Sequence, residues 1–291
     1  MNSTFNLSDY NARIEDYIGV TVFWTINKFN METEQVQSLL EGCGLDSSLI
    51  HSVSPKVALK RASRDFSRSQ NTKEEVCFSR SIVDDKKSTI IGVVAEEADK
   101  EHSRLNYHQT ITASLDKSSG VVKISGRGKK ALLEKLNNFQ KNTTDEDIRR
   151  LVYLFVDKLS GCALRASGGI YFVPKIKVPT LVKLENFISK LNCGKLYLMR
   201  MTNADVEKRI AWEAAEEEIK QKVAKIEFAV SNITGRMSFV TRQSEKLEEI
   251  KKMTDYCIEL CDAQVASEAI RETLNAAEKQ IADKIVEIQN M

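Results

Sequence analysis

Residues 247–288 read LEEIKKMTDYCIELCDAQVASEAIRETLNAAEKQIADKIVEI, and their apolar side chains recur mostly every three or four positions. That spacing places the apolar side chains along one narrow stripe of an α-helix, as in coiled coils. Because a helix cannot leave such a stripe in water, another helix must cover it. The side chains that we expect to mediate oligomerisation are Leu247, Ile250, Val265, Ile270, Leu274, Ile281, Ile285 and Ile288.

The helical character extends back to residue 203. Residues 203–291 contain no proline and a single glycine, Gly235, so we predict a helical arm over this range with a break near 231–235. As one helix, the segment after Gly235 would be roughly 80 Å long. Its partner is then either the preceding helix, folded back at Gly235, or a second copy of the protein. The preceding helix is about half as long, and we therefore favour a homo-oligomer.

Residues 1–202 mix strand-like and helical segments without regular βαβ alternation. Apolar and β-branched runs predict strands over 19–26, 76–83, 88–94, 106–115, 121–125 and 195–201, although the continuity of the first run with Ile14 and Tyr17 leaves a helix as its alternative. Helices are predicted over 32–40, from Pro55, over 129–139, from Thr144, and over 181–191. The turn residues 116–120 between two strand segments are typical of a hairpin. We therefore predict an α+β fold, with a mixed α/β body of antiparallel hairpins in 1–202 and a long, coiled-coil-like arm in 203–291.

Charge divides the chain in the same way. Residues 203–291 carry 13 Lys and Arg against 18 Asp and Glu, whereas the whole chain has a formal net charge of +2. Residues 1–202 therefore carry a net charge of +7, and a basic body favours an anionic partner.

Composition and topogenic signals narrow the class of protein. Hydrophobic residues make up 42% and charged residues 29% of the chain, which excludes wholesale disorder. The apolar stretch around 18–24 is too short to span a bilayer, and the N-terminus lacks the pattern of a secretory signal. The six cysteines form no C-x-x-C pair, so we expect free, buried thiols. These observations predict a cytoplasmic protein, in the host cell if it is viral, with no membrane partner.

The segment Ser125-Gly-Arg-Gly-Lys-Lys130 is the strongest candidate anion site. Glycines and a helix start expose backbone N–H groups to which a phosphate can bind. The segment is not a Walker A loop, because Ala131 follows Lys130. A solvated basic turn remains the alternative. The residues that we assign to anion or nucleic-acid binding are Lys60, Arg61, Arg64, Arg68, Lys123, Arg127, Lys129, Lys130, Arg165 and Tyr171.

The string Arg165-Ala-Ser-Gly-Gly-Ile-Tyr-Phe-Val-Pro174 predicts two short strands around a tight turn. An exposed aromatic beside Arg165 would suit stacking on a base, and a core hairpin is the alternative. The string resembles the R-x-[ST]-G-G-[IV]-Y-F-V-P signature of an uncharacterised family from phages, plasmids and archaeal elements. That resemblance implies a mobile-element setting and no particular reaction.

Few residues in the sequence support a catalytic function. His102 and His108 lie near Glu96, Glu97, Asp99 and Glu101, a cluster that could in principle bind a metal ion, but a solvated acidic loop is the commoner explanation, and we assign no catalytic, cofactor or metal residues. Our leading hypothesis is a non-enzymatic mobile-element protein that self-associates through the arm and binds a host or viral protein with the body. The alternative is a sequence-tolerant RNA or single-stranded DNA-binding protein, and the second alternative is an enzyme of unidentified chemistry.

Overall fold

The computed structural model describes residues 17–73, 75–98, 105–165, 168–232 and 237–290. Contacts divide the chain into two compact units. The central unit comprises residues 26–151, and the flanking unit comprises the described parts of residues 1–25 and 152–291. This division follows packing, and it does not coincide with the change of composition at residue 202.

Strands and helices alternate irregularly along the chain, as an α+β fold requires. The elements up to residue 126 are β1 (Tyr17–Ile26), β2 (Asn30–Glu32), α1 (Thr33–Gly42), α2 (Pro55–Gln70), β3 (Glu75–Asp84), β4 (Ser88–Ala98), β5 (Leu105–Asp116) and β6 (Val122–Gly126). The later elements are α3 (Lys129–Lys141), β7 (Asn142–Thr144), α4 (Asp145–Lys158), β8 (Cys162–Ala163), β9 (Tyr171–Pro174), α5 (Val178–Leu191), β10 (Gly194–Thr202), α6 (Asp205–Ser231), α7 (Met237–Leu260) and α8 (Glu268–Gln289). The predicted α+β class with antiparallel hairpins and a helical C-terminal region is confirmed.

The central unit is built on an antiparallel sheet in which β3, β4, β5 and β6 neighbour one another in sequence order. Its hairpin turns use short polar side chains. The Asp116 carboxylate, for example, accepts hydrogen bonds from the backbone N–H groups of Ser118 (2.8 Å) and Ser119 (3.2 Å). This is the local turn chemistry that competes with strand extension, so the strand ends where the sequence predicts.

Helices α2 and α3 cover one face of this sheet. Ser54 caps α2 by accepting a hydrogen bond from the Val57 N–H, and Pro55 lies in the first turn. The apolar sides of both helices pack on alternate residues of the strands. The resulting core contains Ala58, Leu59, Ala62, Phe66, Ile91, Val93, Ile111, Ala113, Leu115, Ile124, Leu132 and Leu136.

The flanking unit contains a second antiparallel sheet, in the order β10, β1, β9, β8. The hairpin of β8 and β9 pairs Ala163 with Tyr171, as predicted for the Ser-Gly-Gly string. Phe172 is fully buried in a core that also contains α6 residues, including Trp212. The six cysteines are free and buried, also as predicted.

The C-terminal helices pack on one another within the flanking unit. The predicted single helix after Gly235 is wrong, because α7 ends at Leu260 and α8 begins only at Glu268. Asp262 adopts a positive φ of 52° in this turn, and Val265 is 92% exposed in the same turn. No glycine or proline in this stretch predicted the reversal. The predicted break at 231–235 falls largely on residues 233–236, which lie outside the described residues.

The apolar stripe is therefore covered by the chain itself. Leu247, Ile270, Leu274 and Ile281 are buried in one core with α6 residues such as Ile219 and Val223. Ile250, Ile285 and Ile288 pack at the edge of this core. Apolar residues spaced three and four apart indicate that a helix needs a partner helix. The spacing is the same whether that partner belongs to another chain or to the same chain. The inference of self-association from this stripe loses its basis.

No helix in the described ranges combines the length and the apolar character needed to span a bilayer.

Intramolecular burial predicts the effect of truncating the stripe. Leu247→Ala should lower the free energy of unfolding by about 2–5 kcal/mol, because it removes buried methyl groups and leaves a cavity. Val265→Ala should change it by less than about 0.5 kcal/mol, since that side chain is exposed. Urea denaturation followed by circular dichroism measures both.

The same denaturation experiment distinguishes coverage within the chain from coverage between chains. Coverage within the chain makes exposure of the stripe a unimolecular step, so the stripe should not make the urea midpoint depend on protein concentration. A midpoint that rises with concentration in the wild type, and no longer rises in Leu247→Ala, would contradict intramolecular coverage.

Candidate functional site

The face of the central sheet that points away from α2 and α3 is exposed and unusually apolar. Val76 is 50%, Ile82 54% and Tyr107 58% exposed. An antiparallel sheet with one solvated face ordinarily presents polar side chains on that face. Exposed apolar groups collected on one surface are typical of an interaction site. We call this surface the outer face.

Strand register explains which residues form the outer face. Ile91, Val93 and Ala95 of β4 point into the helix-covered core, so Ile90, Val94 and Glu96 point outward. Pairing then places further side chains beside them. The outer face comprises Val76, Phe78, Arg80 and Ile82 of β3, Ile90, Val94 and Glu96 of β4, Tyr107, Gln109, Thr112 and Ser114 of β5, and Lys123 and Ser125 of β6.

Two aromatic rings and a guanidinium group meet on the outer face. The rings of Phe78 and Tyr107 lie edge to face, with centroids 6.4 Å apart. The guanidinium carbon of Arg80 lies 5.3 Å from the Phe78 centroid, within cation–π range. A hydrogen bond to Glu96, followed by partial desolvation, raises the pKa of Tyr107. The phenol is therefore a neutral hydrogen-bond donor at physiological pH.

Lysines collect where the two hairpin turns end the outer face. A cavity of about 860 Å³ is lined by Lys86, Lys87, Lys117 and Lys123. Lys117 pairs with Asp84 at 2.9 Å, whereas Lys86, Lys87 and Lys123 form no ion pair with any described residue. Hydroxyl groups of Ser88, Ser114, Ser118 and Ser119 also line the cavity. Ammonium and hydroxyl groups together suit the oxygen atoms of a phosphate. We call these four lysines the lysine corner.

Two of the predicted α2 cations are held in ion pairs inside the central unit. Lys60 shares the Asp84 carboxylate with Lys56 and Lys117, at 2.8, 2.9 and 2.9 Å. Arg61, whose side chain is only 15% exposed, lies 2.7 Å from Asp147. These contacts hold α2 to the sheet and to the start of α4. Lys60 and Arg61 thus have structural partners.

Arg64 and Arg68, further along α2, form no ion pair with any described residue. They line a cavity of about 840 Å³ that also contains Lys28, Lys135 and several carboxylates. One of these carboxylates, Asp65, lies 2.5 Å from Lys135. The mixed charge of this cavity makes it a weaker anion site than the lysine corner.

The Gly126–Lys130 segment has a packing explanation for its glycines. Gly126 and Gly128 have φ values of 110° and 93°. A Cβ at Gly126 would collide with the Thr110 carbonyl, and one at Gly128 would lie 2.7 Å from the Phe66 ring. The glycines therefore allow the chain to pack closely as it enters α3. Arg127, Lys129 and Lys130 are exposed around this entry.

Arg165 and Tyr171 belong to the flanking unit. Tyr171 is half-buried and stacks on Trp24, with centroids 5.5 Å apart, while Tyr153 meets it edge to face at 6.2 Å. One face of the Tyr171 ring is thus already in contact with an aromatic. Arg165 lies exposed in the loop that follows β8.

Sequence reasoning missed the aromatic pair and three members of the lysine corner. Phe78, Arg80 and Tyr107 were assigned no role, and neither were Lys86, Lys87 and Lys117. A signal was present, since apolar residues occupy both alternating sets of positions in 76–83 and 88–94. An antiparallel strand with one solvated face should have only one apolar set.

A separate group of possible metal ligands lies at the opposite end of the sheet. Ligand atoms of Glu75, Glu97 and His108 all lie within 4.8 Å of one another. They come from three adjacent strands and point to the helix-covered side. Asp99, Glu101 and His102, which the sequence placed near His108, lie outside the described residues.

The fold defines an α+β protein with a helical C-terminal region. A family model described as "Family of unknown function (DUF6744)" matches residues 17–290, and the chain belongs to this family. This confirms the expected membership in an uncharacterised family. A search of curated proteins returned no match, and neither did a search of solved structures.

The three ammonium groups around Asp84 predict a pH-dependent contribution to stability. Hydrogen bonds from Lys56, Lys60 and Lys117 hold the pKa of Asp84 far below its usual range. The stabilisation is therefore present at neutral pH and disappears as the pH falls from about 4 towards the pKa of the folded state. Asp84→Asn should lower the melting temperature at pH 7, and the difference from wild type should shrink in acid.

Differential scanning fluorimetry across pH measures this difference. Asp255→Asn is the control, because that exposed carboxylate has one long ion pair of 3.6 Å with Arg271. An Asp84→Asn effect at pH 7 no larger than that of the control would show that the three lysines contribute nothing through this carboxylate.

Proposed function

We propose that this protein is a nucleic-acid-binding protein that holds single-stranded RNA or DNA on the outer face, without strict sequence preference. The observation that carries the proposal is the pair of the half-buried Phe78 and the exposed Tyr107, with Arg80 beside it, on a sheet that ends in the lysine corner. The outer face would hold the bases, and the lysine corner would hold the backbone phosphates.

The aromatic pair supports binding of unpaired bases. Each base has a π-face, so stacking on aromatic side chains tolerates any sequence and contributes about 1–3 kcal/mol per base. Bases in a duplex are already stacked and do not offer that face. Gln109 and Thr112, between the aromatic rings and the lysines, add hydrogen-bonding groups along the sheet.

The lysine corner supplies the charge that a nucleic-acid backbone requires. Lys123 pairs with Ser114, and the aromatic Tyr107 lies opposite Glu96 on the neighbouring strand. The sheet extends about 20 Å between these two positions, at about 3.3 Å per residue. A single strand laid along the sheet would therefore reach both groups. Lys86, Lys87 and Lys123 form no ion pair with a described residue, and the Asp116 carboxylate in the same cavity already accepts hydrogen bonds from the Ser118 and Ser119 N–H groups.

Val76 and Ile82 favour a second candidate, a protein partner. Exposed aliphatic side chains beside aromatics and arginine are typical of protein interfaces. The outer face is also bordered by β3, which lies at the edge of its sheet. A second copy of the chain is the occupant that we would test first, so self-association survives as a candidate through the outer face rather than through the C-terminal stripe.

The setting of this activity is part of the proposal. The Arg165–Pro174 string supports a phage, plasmid or archaeal-element origin, through its resemblance to such a family. A cytoplasmic location, in the host cell if the protein is viral, fits six free cysteines. A host or viral protein is the alternative occupant of the outer face under the second candidate, after a second copy of the chain.

Fluorescence anisotropy with labelled single-stranded RNA and DNA tests the proposal. Phe78→Ala and Tyr107→Ala should each weaken binding roughly 5- to 150-fold, because each removes one stacking platform. Lys123→Gln should weaken binding and lower the salt dependence by the contribution of about one phosphate contact. The corresponding duplex should bind more weakly than either strand.

Matched variants in the flanking unit control for these changes. Phe228→Ala removes an exposed aromatic from α6, and Lys252→Gln removes an exposed lysine from α7. Both should bind as wild type does, and far-ultraviolet circular dichroism should show that every variant is folded. Absence of binding at low salt, or equal losses in the control variants, would overturn the proposal. Dimerisation in light scattering that Ile82→Glu abolishes would instead establish the second candidate.

A further inference from the structure

The end of the central sheet opposite the lysine corner brings together four side chains of the types that bind transition metals. Glu75 and Cys77 lie on β3, Glu97 on β4 and His108 on β5. Carboxylate oxygen, thiolate sulfur and imidazole nitrogen are the donors found in zinc sites. None of these side chains belongs to the outer face.

Strand pairing accounts for this convergence. Glu75 pairs directly with Glu97, and Ala95 pairs with Cys77 on one side and with His108 on the other. Residues paired across an antiparallel sheet share a face, and residues two apart along a strand share it too. Four positions distant in sequence therefore occupy one small area. The small Ala95 side chain leaves space between Cys77 and His108.

Three of the four ligand atoms lie close enough together for a single ion, and the fourth, the Cys77 sulfur, is hydrogen-bonded to one of them. Ligand atoms of Glu75, Glu97 and His108 lie within 4.8 Å of one another, and the Cys77 sulfur lies 3.5 Å from Oε1 of Glu75. Zinc–sulfur and zinc–oxygen bonds of about 2.3 and 2.1 Å at a tetrahedral angle separate the two ligand atoms by about 3.6 Å. The Cys77–Glu75 pair already has this separation. To complete a four-ligand site, the side chains of Glu97, His108 and Cys77 would have to rotate towards one another.

The electrostatics of the cluster favour a cation. Glu75 and Glu97 are like charges placed directly opposite each other, an arrangement that destabilises a strand pair. Neither carboxylate forms an ion pair with a lysine or arginine in the described structure. A divalent ion would relieve the repulsion between the two carboxylates.

We propose that Glu75, Cys77, Glu97 and His108 bind one divalent transition-metal ion of the zinc class. On binding, the Cys77 S–H bond is replaced by a bond from sulfur to the metal, and the proton passes to solvent. Three strands would be tied together at this end of the sheet. The metal therefore has a structural role, and it uses different side chains from those proposed to bind nucleic acid.

Titration of the chelator-treated, full-length protein with Co²⁺ tests this site. Cobalt reports coordination through visible absorption, and a thiolate ligand adds a charge-transfer band in the near ultraviolet. Wild type should show both signals, saturating at one ion per chain, and Zn²⁺ should displace the cobalt. Cys77→Ser should lose the near-ultraviolet band. Glu97→Gln and His108→Gln should each weaken Co²⁺ binding roughly 10- to 100-fold or more.

Two neighbouring variants provide matched controls. Glu96→Gln changes the adjacent carboxylate, which points to the outer face, and His51→Gln changes an exposed histidine elsewhere in the central unit. Both should bind Co²⁺ as wild type does. No saturable cobalt spectrum in the wild type, or equal affinity in Glu97→Gln and Glu96→Gln, would overturn the site. Because the readout is metal coordination, its failure leaves the nucleic-acid experiment unaffected, and the reverse also holds.

Discussion

The central unit depends on a sheet that is covered by helices on one face. Helices α2 and α3 bury one alternating set of strand residues, from Ile91 and Val93 to Ile111 and Ile124. Since side chains alternate along a strand, burying this set directs the other set towards solvent. The outer face and the opposing metal-ligand cluster both follow from that division. At the bulges at Ser81–Val83 and Val93–Val94, one strand contains an extra residue. The division into a buried and an exposed face continues on both sides of each bulge.

Ion pairs within the central unit determine which lysine and arginine side chains remain available to bind a ligand. Asp84 forms ion pairs with Lys56, Lys60 and Lys117. Glu146 and Asp147, at the start of α4, form ion pairs with Arg61. Most of the basic residues on this face of α2 therefore form ion pairs within the central unit. Lys86, Lys87 and Lys123, which form no ion pair with a described residue, lie instead at the end of the sheet. Net charge alone therefore did not predict which cations remain available to a ligand.

The C-terminal helices follow the same physical principle by a different route. An apolar stripe must be covered, and α6 covers it within the flanking unit. The reversal at residues 261–267 shortens α7 and α8 enough for both to pack on α6. With Leu247 and Ile270 inside this core, the stripe no longer requires a second chain. For an interface between copies we therefore propose the exposed aliphatic groups of the outer face.

Most of the secondary structure could be predicted from the local periodicity of apolar residues. Alternation over 76–83, 88–94 and 106–115, the polar turn at 116–120 and the capped start of α2 each depend on neighbours a few residues away, and all were visible in the sequence. The position of Phe78 beside Tyr107, the grouping of Lys117 with Asp84 and the coverage of Leu247 by α6 were not. These contacts join residues far apart along the chain, and residue spacing contains no information about which of several compatible partners a side chain meets. Strand register and helix packing select that partner, because they minimise exposed apolar area over the whole unit at once.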